Sequence, residues 1–174
     1  FIVSVGEGTA IGGKAFNGAG SGSWNDLKSD AKVTFADNTI EGKNISETAA
    51  NTGYIVNIAG EVAGGKGMAL GLALAYNSLN NTTGTYLTKN KITLSATDNS
   101  VKLASNNTGK ALAVAGGVEV GATGDALFKA AGKVAINRGV SHTESVIDGT
   151  TAGNNVLIGV KELSVTATEL SKKT

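Results

Sequence analysis

Three short stretches hold the residue types from which chemistry could be built. GEVAGGKG, Gly60 to Gly67, spells Gly, four residues, Gly, Lys, the pattern of a phosphate-cradling loop without its last letter. The Ser or Thr that should come after Lys66 would ligand Mg²⁺, and Gly67 stands there instead. The same near-pattern occurs earlier, with Gly8, Gly13 and Lys14 in place and Ala15 replacing the hydroxyl. Such a loop must come after a buried strand and open a helix, and the residues beyond Lys66 do not read as a helix. A pattern that comes twice reads as a repeat rather than a nucleotide site.

The second stretch is SHTES, with Ser141, Glu144 and the chain's one histidine, His142. Triad members must converge in space beside an oxyanion hole, whereas these are neighbours in sequence, so the stretch reads as an exposed turn. A lone imidazole with one carboxylate also falls short of the three ligands of a catalytic zinc site. The third is the pair GGKGM and GGVEV. A calcium-binding β-roll needs GGxGxD, and no Asp follows the glycines of GGKGM, with no carboxylate in register in GGVEV. Asp26, Asp37, Asp98, Asp125 and Asp148 read as local caps near turns.

Polysaccharide lyases and hydrolases need clustered carboxylates or basic groups, and no segment gathers them. Trp24, Tyr54, Tyr76 and Tyr86 could stack on sugar rings, but Trp24 and Tyr76 fall on the large-residue face of a repeat and read as packing. Asn44, Asn80, Asn81 and Asn106 head N-glycosylation patterns, for which stacked Asn ladders between coils are the better account. No catalytic, cofactor-binding or metal-ligating residue is therefore assigned, and the chain reads as non-enzymatic.

The elements that would have to position such residues are bounded by composition. In 174 residues there are 25 Gly, no Pro and no Cys. Average usage would give about 5% Pro. Its absence beside so much Gly, Asn and Thr argues for backbone N–H groups committed to ladders that Pro would break, hence for extensive sheet. Without Cys there is no disulfide framework and no thiolate zinc site. A net charge of +1 with Lys scattered singly leaves no basic stripe for nucleic acid. The longest apolar run, MALGLALAY, is half of what a spanning helix needs. A chain that begins at Phe1 with no amphipathic capping helix reads as a processed product or an excised piece of a longer parent.

Self-similarity organises the rest, with approximate repeats over 1–53, 54–109 and 110–174 of one β-helical segment. FIVSVGEG, YIVNIAGE and KALAVAGG open them at Phe1, Tyr54 and Lys110. AFNGAGSGSWN, GMALGLALAYN and LFKAAGKVAIN come next, aligned on Trp24-Asn25, Tyr76-Asn77 and Ile136-Asn137. In the middle copy Met68, Leu70, Leu72, Leu74 and Tyr76 alternate with Ala and Gly, the period of a strand, and the large set is read as the inward face. KVTFADNT, KITLSATD and ELSVTATE form a third aligned set of half-buried strands. ADNT, NNTTG, SNNTG and DGTTAGNN read as turns. Short strands at a fixed period with small residues in layers predict an all-β parallel β-helix. At roughly 20–25 residues per coil, about seven or eight coils would make a rod of about 35 Å.

The phrases YIVNIAGEVAGGKGMALGLALAYNSLNNTTGTYLTKNKITLSATDNS and KVAINRGVSHTESVIDGTTAGNNVLIGVKELSVTAT resemble the repeats of very large bacterial exoproteins, the filamentous-haemagglutinin-like adhesins and autotransporter passengers, in particular the fusobacterial leukotoxin type. The resemblance implies secretion to the bacterial cell surface, a right-handed β-helical shaft, and roles in adhesion or host-cell toxicity through a host receptor or glycan. It carries no short catalytic signature, so no site residue is transferred.

Overall fold

The computed structural model describes residues 1–12, 16–121, 128–148 and 155–173. Ten strands run in chain order: β1 Ile2–Gly12, β2 Phe16–Ala36, β3 Thr39–Gly42, β4 Asn44–Gly65, β5 Met68–Thr88, β6 Lys91–Leu94, β7 Ser100–Gly121, β8 Phe128–Ile147, β9 Val156–Ile158 and β10 Glu162–Lys173. The described residues contain no helix, and MALGLALAY lies within β5. All pairings are parallel. The strands form sheet A in the order β1-β4-β7-β10, sheet B in the order β2-β5-β8, and a narrow sheet C in the order β3-β6-β9.

Two of the aligned phrases fall in register. Ile2 pairs with Ile55 and Tyr54 with Lys110, while Trp24, Tyr76 and Ile136 stand side by side across sheet B. The third set does not. Lys32 pairs with Gly84 in sheet B, Lys91 with Thr39 in sheet C, and Glu162 with Ser100 in sheet A. The coil length also needs correction. Paired residues are 52 to 65 apart in sequence, from Phe16 with Met68 to Lys91 with Val156, so each sheet receives one strand per repeat. Sheets three or four strands deep span about 10–14 Å along the stacking direction, not 35 Å.

The repeats are spent on length instead. Two supposed turns, NNTTG at 80–84 and SNNTG at 105–109, lie inside β5 and β7. Their Asn81, Thr83, Ser105 and Asn107 are fully or almost fully buried. The ADNT stretch is a true corner: Asp37 takes a φ of 57° and Lys89, one strand on, a φ of 54°. Of DGTTAGNN, residues 149–154 lie outside the described residues.

Sheets A and B face each other, and their interior has three zones. Beside sheet C sits an aliphatic core of Ile45, Leu87, Ile92, Leu94, Val101 and Leu103. The middle is polar. Asn77 donates to the Leu112 carbonyl across the gap (2.8 Å) and to Asn137 on the next strand (2.9 Å), and accepts from Asn25 (3.2 Å). Asn57 donates to the carbonyls of Ser23 and Tyr76. Thr85, Ser105 and Ser145 bond one another. A second Asn ladder, Asn38–Asn90–Asn155, ties the corner after sheet B. Toward the 65–68 bend the interior shrinks to Ala59, Ala73, Ala75 and Ala113.

That third zone reverses the expected faces. In β5 the buried positions are Ala69, Gly71, Ala73 and Ala75, and Met68, Leu72 and Leu74 are exposed. Small side chains let the sheets approach closely, which leaves no room for the large ones inside. Sheet A repeats the pattern, with Val5, Ile58 and Val114 exposed in one row.

Candidate functional site

GEVAGGKG runs off the end of β4 into a bend at Lys66 and straight into β5, so a strand stands where a phosphate loop requires a helix. Gly13, Lys14 and Ala15 of the earlier copy lie outside the described residues, as does Asp125. Asp26 is in mid-strand in β2, not at a turn. Asp37 and Asp98 do sit at bends. Asn81 is buried and cannot accept a glycan; Asn44, Asn80 and Asn106 are exposed.

SHTES is strand, not turn: it lies within β8. Consecutive strand residues point to opposite faces, so Ser141 and His142 diverge while His142 and Glu144 share the outer face. This parity excludes a serine triad in the stretch. A different cluster forms. His142 Nε2 lies 3.2 Å from Glu144 Oε2, and Tyr86 Oη donates a short hydrogen bond to Glu144 Oε1. Tyr86 reaches it by folding across Gly84, which stands between Lys32 and Glu144 in the sheet. A Cβ at Gly84 would collide with that ring. The bond to Tyr86 holds the Glu144 carboxyl below its usual range, with lesser help from His142 and Lys32. The same bond pushes the Tyr86 hydroxyl up to about 12, since losing its proton would place two anions together. Tyr86→Phe should therefore remove a tyrosinate absorbance step near pH 12 and, at this solvent-facing position, cost under about 1 kcal/mol. A titration of absorbance against pH checks both the step and its assignment.

A second outward feature is aromatic. Trp24 is 69% exposed and its ring stacks on Tyr76 with centroids 3.9 Å apart and planes at 23°. Leu74, Val134 and Ile136 adjoin it, with Gly22 leaving a shallow groove beside the rings. One strand-step on, the outward row is Asp26, Ser78 and Arg138. An apolar platform edged by polar groups can stack on a sugar ring and hold its hydroxyls. Of the expectation that Trp24 packs in the core or at a strand end, the core position is thus corrected: Trp24 packs on Tyr76, but on the outer face.

Sequence reasoning misses the buried carboxylates. Glu47 and Glu61 are each 2% exposed, and neither oxygen of either has a hydrogen-bond partner among the described residues. Burial pushes the Glu47 carboxyl up to about 7. Glu61 fits because its in-register neighbours are Gly8 and Gly117 and because Gly71 faces it. A Cβ on Gly71 would lie 2.6 Å from its Oε1, and one on Gly117 would overlap it. Both acids share strand parity with Ile45, Ala49, Ile55 and Ala59, the one signal of their burial that the chain carries.

No family model, curated protein or solved structure matches this chain. The described residues hold no group of three or more His, Cys, Asp or Glu placed to ligate a metal, and no helix among them is long and apolar enough to cross a membrane. What the site offers is surface: a stacked aromatic platform and a Tyr–Glu–His cluster on one broad sheet.

Proposed function

We propose that the chain is a segment of a right-handed parallel β-helical shaft in a secreted bacterial surface adhesin or toxin, non-enzymatic, with its outer sheet faces available to a host receptor or glycan. The observation that carries this reading is the in-phase succession of parallel strands, one per repeat in each sheet, joined by buried Asn ladders. Such a stack extends by adding repeats, and it displays rows of side chains rather than a pocket. The resemblance to filamentous-haemagglutinin-like and leukotoxin-type repeats supports the placement at the cell surface. Glycan contact within this reading is favoured by Trp24, a large aromatic ring held rigid by Tyr76 with its outer side in solvent.

The test is flow cytometry of the labelled protein on mammalian leukocytes and epithelial cells, with a leakage dye in the same tube. Saturable binding without dye release is expected, weakened about tenfold by Trp24→Ala, the loss typical of removing one aromatic anchor. Absence of binding would sink the contact role, dye release would make the segment membrane-active, and turnover of an acidic polysaccharide would overturn the non-enzymatic reading.

A further inference from the structure

The strands reverse their polarity part-way along their length. Between the 65–68 bend and the row of Trp24, Tyr76 and Ile136, the outward residues of β5 are Met68, Leu70, Leu72 and Leu74. Those of β4 are Val56, Ile58 and Val62, with Gly60 and Gly64 between and beyond. In the strands on either side, Glu7 is the one charged residue facing out over this stretch among the described residues. Polar groups point in instead. Asn17, Ser21, Glu61 and Glu119 each keep at least one buried side-chain nitrogen or oxygen without a partner among the described residues. Past the Trp24 row the order is the usual one, with Asp26, Arg138, Asp30 and His142 outside and the aliphatic core within.

Strands that are apolar outside and polar inside suit a surrounding medium that is not water. The nine residues from Met68 to Tyr76 extend about 30 Å, the thickness of a bilayer's hydrocarbon core. Aromatic rings close the apolar rows on both faces, Trp24 stacked on Tyr76 on one and Tyr54 beneath the Lys110 ammonium on the other. Asn57 donates across the gap to the Tyr76 carbonyl, and Tyr54 is three residues from Asn57, so the two boundaries lie within about 10 Å of each other along the strands. Trp, Tyr and Lys gathered at one level are the residues of a membrane interface. β4 and β5 each have a hydrogen-bonded neighbour on both sides, so their backbone groups are satisfied where lipid offers no partner. We propose that the bend end of the body enters a lipid bilayer edge-on, with acyl chains covering both broad faces and Trp24, Tyr76 and Tyr54 at headgroup level. A second copy of the chain is the poorer occupant. Three strands over this length offer about 430 Å² on a face, so a face-to-face pair buries about 860 Å², below the roughly 1,200 Å² of a stable interface, and covers one apolar face of two. The polarity switch is complete within the middle layer, β4 and β5, and it stands whether or not the chain belongs to a shaft.

Trp24 is the chain's one tryptophan and so reports its own depth. Titrating the full chain with phosphatidylcholine vesicles should shift its emission to the blue, saturably and without dependence on salt. Lipids brominated near the carbonyl end of the acyl chains should quench it more than lipids brominated near the methyl end. Leu72→Arg and Val62→Arg put a charge on opposite faces at about the same distance from the bend, and each should weaken partition by about thirtyfold or more with the circular dichroism unchanged. Asn80→Arg, outward beyond the boundary, should leave partition as it is. No shift with vesicles overturns the proposal. So does an unchanged partition in either of the first two variants, the mark of a body lying flat on one face. Mass that rises with concentration in the absence of lipid, and that Leu72→Arg lowers, would overturn it too, because a second copy would then cover the faces. Dye enclosed in the vesicles should stay there, since the gap lined by Ala59, Ala73 and Ala75 leaves no lumen, and its release would equally count against an intact, edge-on body. Failure to partition leaves receptor or glycan binding intact, because that binding requires no contact with acyl chains.

Discussion

At pH 8 the Glu47→Gln variant should be more stable than the parent protein by roughly 2–3 kcal/mol, a gain from removing a charge without changing shape. Glu47 is buried beside the aliphatic zone with no partner for its carboxyl oxygens among the described residues, and burial lifts its pKa from 4.5 to about 7. The folded state therefore binds the proton more tightly than the unfolded chain. Stability falls as pH rises from about 4.5 to about 7, is flat above, and is fully recovered below 4.5, where both states are protonated. Gln imitates the protonated form at every pH. Urea unfolding of both proteins from pH 4 to pH 8 should show the difference opening with pH. Parallel curves would mean that Glu47 finds a compensating partner, such as water, and titrates normally.

Asn77→Ala should act in the opposite direction and cost about 3 kcal/mol. Asn77 is fully buried and joins two strands of its own sheet to the facing one. Its loss takes one hydrogen bond each from the Leu112 carbonyl and from the side-chain amides of Asn25 and Asn137, and it opens a cavity in the buried polar row; losing hydrogen bonds to buried polar groups costs about 1–3 kcal/mol. Asn80→Ala, three residues along on the exposed face, is the control and should stay within about 0.5 kcal/mol. Equal effects at the two positions would show that the amide row is ornamental and that the aliphatic zone alone holds the sheets.

The alternation from Met68 to Tyr76 is enough to read a strand, and Trp24, Tyr76 and Ile136 are enough to read its register, because a period of two and a shared ending are local facts. Which face turns inward is not local. Large residues face inward where sheets stand a normal distance apart, and here Ala59, Ala73 and Ala75 bring them closer, a property of two segments together. The NNTTG and SNNTG stretches mislead for a related reason: Asn and Thr serve turns when alone and interior hydrogen bonds when a polar partner from another strand faces them. Asn81 of the first donates to Asn107 of the second, 26 residues distant. Because those stretches read as breaks, long strands become short ones and the expected spacing between paired strands comes out less than half its size. The Tyr86–Glu144–His142 cluster has no signal in the sequence, since it depends on Gly84 leaving a path between strands.

The flattened cross-section has a mechanical consequence. Strands of 21 or 22 residues make each layer about 70 Å wide, while two sheets are together about 10 Å thick between backbones. Flexural rigidity grows with the cube of the dimension in the plane of bending, so a beam of about seven to one resists edgewise bending roughly fifty times more than flatwise bending. Shear between the layers is opposed by the cross-gap bonds of Asn57 and Asn77, which act as rivets at mid-width. Extended through many more layers, such a body would behave under load as a ribbon, yielding in one direction and stiff in the other, and always presenting a broad side to whatever it is pressed against.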